Sequence, residues 1–98
     1  MKIKFSTRSY ECRLVWREYG NGNVAICAES PEGRPIGVLS TNTGEVLDND
    51  HVAIKDWSEN EGVLQSLIDN GVVSAPERTI PTGWVEAAVC RILERKTE

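Results

Sequence analysis

The stretch DWSENEGVLQSLIDNGVV, residues 56–73, decides the predicted fold because it holds the clearest helical pattern in the chain. Four apolar residues recur there at the spacing of one helix face: Val63, Leu64, Leu67 and Ile68. A helix of this kind buries its apolar face against the rest of the protein. We therefore expect one helix, from Ser58 to about Asn70, packed on other elements.

Polar residues and a glycine predict where this helix begins and ends. Ser58 followed by Glu61 forms the pattern of a capping box, in which each side chain satisfies a backbone N–H at the helix start. Glu59 and Glu61 also lie where the helix dipole favours negative charge. Gly71 can adopt the left-handed conformation that ends a helix, with Val72 closing over the end. These acids thus have a structural explanation, which weakens an active-site interpretation.

Alternating apolar and polar residues predict strands on both sides of the helix. From residue 10 to residue 28 the alternation is interrupted by GNGN, residues 20–23, whose Asn-Gly chemistry suits a tight hairpin turn. Further strands are expected at residues 3–5, 36–41 and 51–57. Residues 84–93 fit a strand or a helix face, and we favour the strand because both ends of the helix then return to the sheet.

The expected fold is therefore α+β: one antiparallel sheet of five to six strands with one helix packed on one face. A chain of 98 residues has room for one core, so we expect a single domain over residues 1–98. An exposed edge strand would permit a homodimer through sheet pairing. The charged residues at the end of the sequence are expected to fray.

The chain lacks an apolar run of the length of a signal peptide or a membrane span, so we expect a cytoplasmic protein with no membrane partner. Three cysteines, Cys12, Cys27 and Cys90, cannot all pair within one chain. Reduced, partly buried thiols are expected.

Catalytic chemistry has few candidate residues. His51 is the only histidine, and a small enzyme using His51 with a cysteine is one alternative function. Asp48 and Asp50 resemble the opening of a calcium loop, but the glycine and the closing glutamate are missing, so a polar turn is favoured. GNGN precedes a strand, whereas a phosphate-binding loop precedes a helix. We therefore expect no catalytic residue, cofactor or metal.

Charge is distributed unevenly along the chain, whose net charge is -4. Residues 44–70, the acidic segment, carry seven acids against one lysine. Such a surface favours a basic partner, although it could also serve solubility alone. The candidate partner-binding residues are Asp48, Asp50, Asp56, Trp57, Glu59 and Glu61. A protein complex with a basic surface is the expected partner.

A nucleic-acid accessory protein is the other alternative, because Lys4, Arg13 and Arg17 lie in the basic N-terminal strands. Tyr10 and Trp16 alternate with these charges and should point to the opposite face, which argues against nucleic-acid binding. We expect the three tryptophans to pack in the core. If Trp57 and Trp84 are exposed instead, they are the best interface anchors.

The stretch HVAIKDWSENEGVLQSLIDNGVV, residues 51–73, followed by IPTGWVEAAVCRI, residues 80–92, resembles a family of small proteins encoded on bacterial plasmids, integrative elements and phages. The IKDW-SENEG strand-to-helix motif is the most specific part of the resemblance. It implies no catalytic residues. It does imply a mobile-element setting, where small acidic proteins inhibit host defence systems such as CRISPR or restriction complexes. The expected function is therefore a non-enzymatic protein-binding module, acting as an anti-defence inhibitor through an acidic face.

Overall fold

A computed structural model describes all 98 residues and contains eight strands and one α-helix. The strands are β1 (Lys2–Phe5), β2 (Arg8–Glu11), β3 (Arg13–Glu18), β4 (Val24–Glu29), β5 (Pro35–Val38), β6 (His51–Ile54), β7 (Arg78–Thr82) and β8 (Val85–Arg91). The helix is α1 (Val63–Asp69), preceded by a 3₁₀ turn (Ser58–Asn60). All strand pairs are antiparallel, so the predicted α+β class with one helix is confirmed.

The strands form three small sheets, so the prediction of one sheet of five to six strands is met only in part. One sheet is the β1–β2 hairpin, the second has the order β3-β4-β5, and the third has the order β6-β8-β7. The predicted hairpin around residues 20–23 is present as β3 and β4.

The sheets are joined where an extended segment changes partners. The strand predicted to start at Tyr10 is divided at Cys12, whose N–H donates to the Met1 carbonyl at 2.7 Å. Pairing with β4 begins at the next residue. A similar change follows β5. Leu39 donates to the Ile26 carbonyl of β4 at 2.8 Å, and Thr41 donates to the Ala53 carbonyl of β6 at 3.0 Å.

The size of the helix gives a physical reason for the division into three sheets. α1 has seven residues, so it is about 10 Å long. One flat sheet of six strands would be about 24 Å across, because its five spacings between neighbouring strands are about 4.8 Å each. So short a helix would leave much of the apolar face in water. Three smaller sheets that share one core bury their apolar faces against each other, without a second helix.

A single cluster of 15 buried residues forms the core. Its largest fully buried side chains come from every sheet and from α1: Ile3, Leu14, Ile26, Leu39, Ile54 and Leu67. This shared core is what the prediction of a single domain requires. No helix in the structure has both the length and the apolar character needed to cross a membrane.

The C-terminal half contains one strand that was predicted and one that was not. β8 settles the choice for residues 84–93 in favour of a strand. β7 was not predicted because it contains Pro81, which cannot donate to a sheet ladder. β7 is an edge strand, where the missing N–H faces away from the partner strand, and there a proline is tolerated.

The end of α1 is as predicted. The N–H of Gly71 donates to the carbonyl of Ile68, and that of Val72 donates to the carbonyl of Leu67, both at 3.0 Å. This pair of bonds is the Schellman motif, and it needs a left-handed residue, which Gly71 supplies with a φ of 71°. Val72 is fully buried over the helix end.

The expectation that the last residues fray is wrong. Leu14 N–H donates to the carbonyl of Thr97 at 2.8 Å, and Trp16 Nε1–H donates to the carbonyl of Lys96 at 2.8 Å. The guanidinium of Arg95 lies 5.3 Å from the centre of the Trp16 ring. This tail therefore lies along β3 and covers the edge that β4 does not.

Candidate functional site

The six candidate binding residues do not form one surface, because β6 separates them. Asp48 and Asp50 precede β6, and Asp56, Trp57, Glu59 and Glu61 follow it. Strands rise about 3.3 Å per residue, so Asp50 and Asp56 are about 20 Å apart along the chain direction. The acidic segment thus contributes to two opposite ends of the sheet β6-β8-β7.

Strand register shows what else lies at each end. His51 pairs with Arg91, and Ile54 pairs with Ala88. We call the first end the His51 end, with Asp48, Asp50, His51 and Glu77. The second is the Trp84 end, with residues 56–61 after β6 and Trp84 just before β8.

His51 is held between two carboxylates. Its Nδ1 lies 2.8 Å from Asp50 Oδ1, and its Nε2 lies 2.7 Å from Glu77 Oε1. Ionised carboxylates only accept hydrogen bonds, so both ring nitrogens donate when the imidazole is protonated. The hydrogen bond to Glu77 raises the pKa of His51 above its ordinary value, and Asp50 acts in the same direction, while desolvation opposes them. The side chain of His51 therefore links two acids, and both hydrogen bonds favour its protonated form.

Asp48, Asp50 and His51 also bring possible metal-ligand atoms within 4.8 Å of one another. A metal ion would have to displace a carboxylate from the imidazole to use either ring nitrogen. The main chain here forms the polar turn favoured from sequence, with His51 N–H donating to the Asp48 carbonyl at 3.0 Å. Ion pairing and this turn account for the cluster without a metal.

At the Trp84 end, Asp56 has a structural role that the sequence pattern assigned to Ser58 and Glu61. Asp56 Oδ1 accepts the backbone N–H groups of Gly62 and Leu64, both at 3.0 Å. The predicted capping box is wrong, because neither Ser58 nor Glu61 makes a side-chain cap bond. Gly62, with a φ of 100°, turns the chain between the 3₁₀ turn and α1, so one continuous helix from Ser58 does not form.

The remaining acids of this end are exposed. Glu59 Oε1 lies 2.6 Å from Lys55 Nζ, and the hydrogen bond from this lysine lowers the pKa of Glu59. The Glu61 side chain makes no ion pair, although its carbonyl accepts the Ser6 N–H at 2.6 Å. Glu86, which sequence reasoning did not select, is also exposed and lies two residues from Trp84.

The tryptophans differ in burial, and the expectation that all three pack in the core is wrong for Trp84. Trp16 and Trp57 are half-buried. Trp84 is fully exposed, at 104% of its reference area. It occupies the two-residue turn between β7 and β8. Of the two possible anchors named from sequence, Trp84 meets the condition of exposure.

The cysteines do not fit the alternative of a nucleophile activated by His51. All three are free. Burial raises the pKa of Cys12, and it raises that of Cys90 to about 11, so these two thiols are protonated at neutral pH. Cys27 is half-buried in β4, in a different sheet from His51. Both ring nitrogens of His51 bond to carboxylates instead.

The basic N-terminal strands do not present a surface for stacking bases. The Trp16 ring packs against the guanidinium of Arg95, and its indole N–H is already bonded. Tyr10 packs edge-on against Phe5, with ring centres 5.8 Å apart. Arg13 lies 3.7 Å from the Glu98 carboxylate. The Trp16 ring is therefore covered, whereas Tyr10 keeps an exposed part at a groove.

The largest groove on the surface was not predicted. It encloses about 570 Å³ between the β1–β2 hairpin and β5, and we call it the hairpin groove. Its lining includes Phe5, Tyr10, Ile36, Val38 and the Lys55–Glu59 ion pair. Tyr10 was predicted to lie on the buried face with Trp16. The change of sheet at Cys12 leaves it at the groove instead. Aromatic residues on both sides of the turn at residues 6–7 were the available signal.

No protein-family model, curated protein or solved structure matches this chain. The resemblance to proteins of mobile elements therefore stays a prediction from the sequence motif. Geometry and chemistry of the residues themselves are the basis for assigning a function.

Proposed function

We propose that this chain is a non-enzymatic protein-binding module that contacts its partner through the Trp84 end. The fully exposed indole of Trp84 is the observation that carries the proposal. Tryptophan is enriched among the residues that dominate binding energy, because its ring buries a large apolar area in a partner's pocket. In the free protein this area gains nothing from packing, so it is available to an interface.

The hairpin that carries Trp84 favours binding because it is held by the sheet. β8 is the central strand of its sheet and pairs with β6 on one side and β7 on the other. The turn has two residues, which fixes the position of the Trp84 backbone relative to the strands. An anchor fixed in advance loses less entropy when it binds.

Charge at the Trp84 end supports a basic partner. Glu61 and Glu86 are exposed and have no ion-pair partner in the chain. Asp56 is left out of the proposed surface because its carboxylate is bonded to the helix start. Carboxylates at the same end of the sheet as an apolar anchor steer a basic surface toward it and make association sensitive to salt. The resemblance to mobile-element proteins adds the proposal that this partner belongs to a host defence complex, such as a CRISPR or restriction complex.

Capture from a lysate of the source cells tests the proposal when three baits are compared. The baits are the wild type, Trp84→Ala and Val46→Ala. Val46 is the matched control because it is an exposed apolar residue, at 72%, near the His51 end. We expect one protein to be captured by both the wild type and Val46→Ala. The amount of that protein captured by Trp84→Ala should be at least about tenfold lower. Equal retention by all three baits would exclude Trp84 as the anchor.

The role of charge is tested with the captured partner in a salt series. We expect the double variant Glu61→Lys/Glu86→Lys to slow association and to flatten its salt dependence. Asp48→Lys is the control, because Asp48 is an exposed acid at the opposite end. If Asp48→Lys slows association as much as the double variant, the Trp84 end is not the acidic contact.

A further inference from the structure

We propose that the hairpin groove binds an extended peptide segment of a protein partner, whose backbone pairs with the outward N–H of Val38 at the edge of β5. This inference rests on the proposed function in one respect, that the chain binds protein. It concerns a different surface and a different mode of recognition, in which backbone groups of the peptide pair with those of an edge strand.

The outer edge of β5 faces the groove. β5 is the last strand of its sheet, and Ile36, Gly37 and Val38 line the groove. Leu39 N–H donates to the Ile26 carbonyl of β4. In an antiparallel ladder such bonded pairs alternate with unbonded pairs. The pair Cys27–Val38 is therefore unbonded, and the N–H and C=O groups of Val38 point away from β4.

A buried side chain confirms this direction and shows what is left. Asn60, which is 3% exposed, donates from Nδ2 to the Val38 carbonyl at 2.7 Å. The N–H of Val38 remains on the edge, while Ile36 lies where the β4–β5 register shifts. The backbone carbonyl of an extended peptide in the groove can accept this N–H.

The opposite wall supplies apolar contact for the peptide's side chains. Phe5 lies so close to β5 that a Cβ atom on Gly37 would be 3.3 Å from its ring. Tyr10 is 38% exposed and Val38 is 48% exposed, both on the groove lining. A strand laid along β5 would bury these surfaces with alternate side chains.

Charge in the groove indicates one further feature of the peptide. The two cations of the lining are Arg8 and Lys55. Lys55 is paired with Glu59, whereas Arg8 has no ion-pair partner in the chain. The occupant that fits is therefore an extended segment with an apolar residue for the Tyr10–Val38 surface and an acidic residue for Arg8.

Selection from a phage-displayed library of random linear peptides, followed by NMR of the ¹⁵N-labelled full chain, tests the proposal. We expect the enriched peptides to combine apolar and acidic residues and to shift the amide signals of Ile36 and Val38. Val38→Pro removes the outward N–H without breaking a bond to β4, since edge strands tolerate proline. Val38→Ala is the matched control, because it loses the side chain but keeps the N–H.

We expect Val38→Pro to bind the selected peptide about tenfold more weakly than Val38→Ala, because the peptide's carbonyl then lacks its partner. Thermal unfolding of both variants checks that they fold equally well. Equal binding by the two variants, or no enrichment over an unrelated protein, would overturn the inference. Peptide shifts confined to the Trp84 end would overturn it while leaving the proposed function intact. A dimer of the free chain that Val38→Pro dissociates would identify a second copy as the occupant, against the peptide.

Discussion

The two ends of β6 are comparable in the number of acids they carry and differ in how those acids are used. At the His51 end, Asp50 and Glu77 share one imidazole, and the nearby Glu45 pairs with Arg78 at 3.0 Å. At the Trp84 end, Glu61 has no counter-ion, and the indole of Trp84 is exposed. The first end is held together by its own charges. The second leaves both charge and apolar area for another molecule.

This difference shows that a count of acids along a chain does not locate a binding surface. Paired carboxylates have little potential left to attract a partner, because the cation beside them cancels their field. Of the candidate residues, Asp50 bonds to His51, Glu59 pairs with Lys55 and Asp56 is bonded to backbone N–H groups. Partner binding by the six candidate residues stays a prediction.

The largest effect on stability is expected at Asp56. A mutation there tests whether this acid has a structural role that the exposed acids of the Trp84 end lack. Asp56→Ala leaves the N–H groups of Gly62 and Leu64 without an acceptor. We expect the free energy of unfolding to fall by about 2 kcal/mol, measured by urea denaturation. Glu61→Gln is the control and should change it by less than about 0.5 kcal/mol. Equal losses in the two variants would mean that Asp56 is not the cap.

An intermediate effect is expected at the His51 end, and it depends on pH. The folded state raises the pKa of His51 from 6.5, so the folded state holds this proton more tightly than the unfolded state. The stabilisation is complete below the unfolded value and is lost as pH rises through the folded value. We expect His51→Gln to cost about 1 kcal/mol at about pH 6 and less at about pH 8.

Urea denaturation of the wild type and His51→Gln across that pH range checks this prediction. The other shifted groups lie outside the window: the pKa values of Glu11 and Glu59 are lowered from 4.5, and those of Cys12 and Cys90 are raised from 9.0. A difference between the two proteins that stays constant with pH would show that His51 acts by packing and not by charge.

The smallest effect on stability is expected at Trp84, where the effect on binding should be greatest. Because the indole is fully exposed, Trp84→Ala should change the free energy of unfolding by less than about 0.5 kcal/mol. Trp16→Ala, which removes a ring that is only half-buried and its bond to Lys96, should cost about 1.5 kcal/mol. Thermal unfolding of the two variants tests this contrast. A large loss of stability in Trp84→Ala would show that the indole packs on the protein and is not exposed.

Features set by neighbouring residues could be predicted from the sequence. The turn at residues 20–23, the helix stop at Gly71 and the strand character of residues 84–93 all depend on local geometry, and all three are present. The single helix could be predicted too, since its apolar face repeats within two turns.

Features set by contacts between distant residues could not be predicted. The cap on α1 comes from Asp56, six and eight residues before its donors, outside the spacing that a capping box allows. The division into three sheets depends on where Leu39 and Cys12 find partners, which alternation alone does not specify. The hairpin groove follows from that division, so the aromatic residues around the turn at residues 6–7 could mark one wall of it but not the opposite wall on β5.

The bond between Leu14 and Thr97 has a consequence for how the chain reaches its native state. The β1–β2, β3–β4 and β7–β8 hairpins join neighbouring segments and can form within microseconds. Covering the edge of β3 instead requires closure of a loop of nearly the whole polypeptide, whose entropic cost must be met before any contact repays it. We therefore expect the hairpins to form early and the β3 edge to be sealed late, in the slow range typical of non-local β pairing.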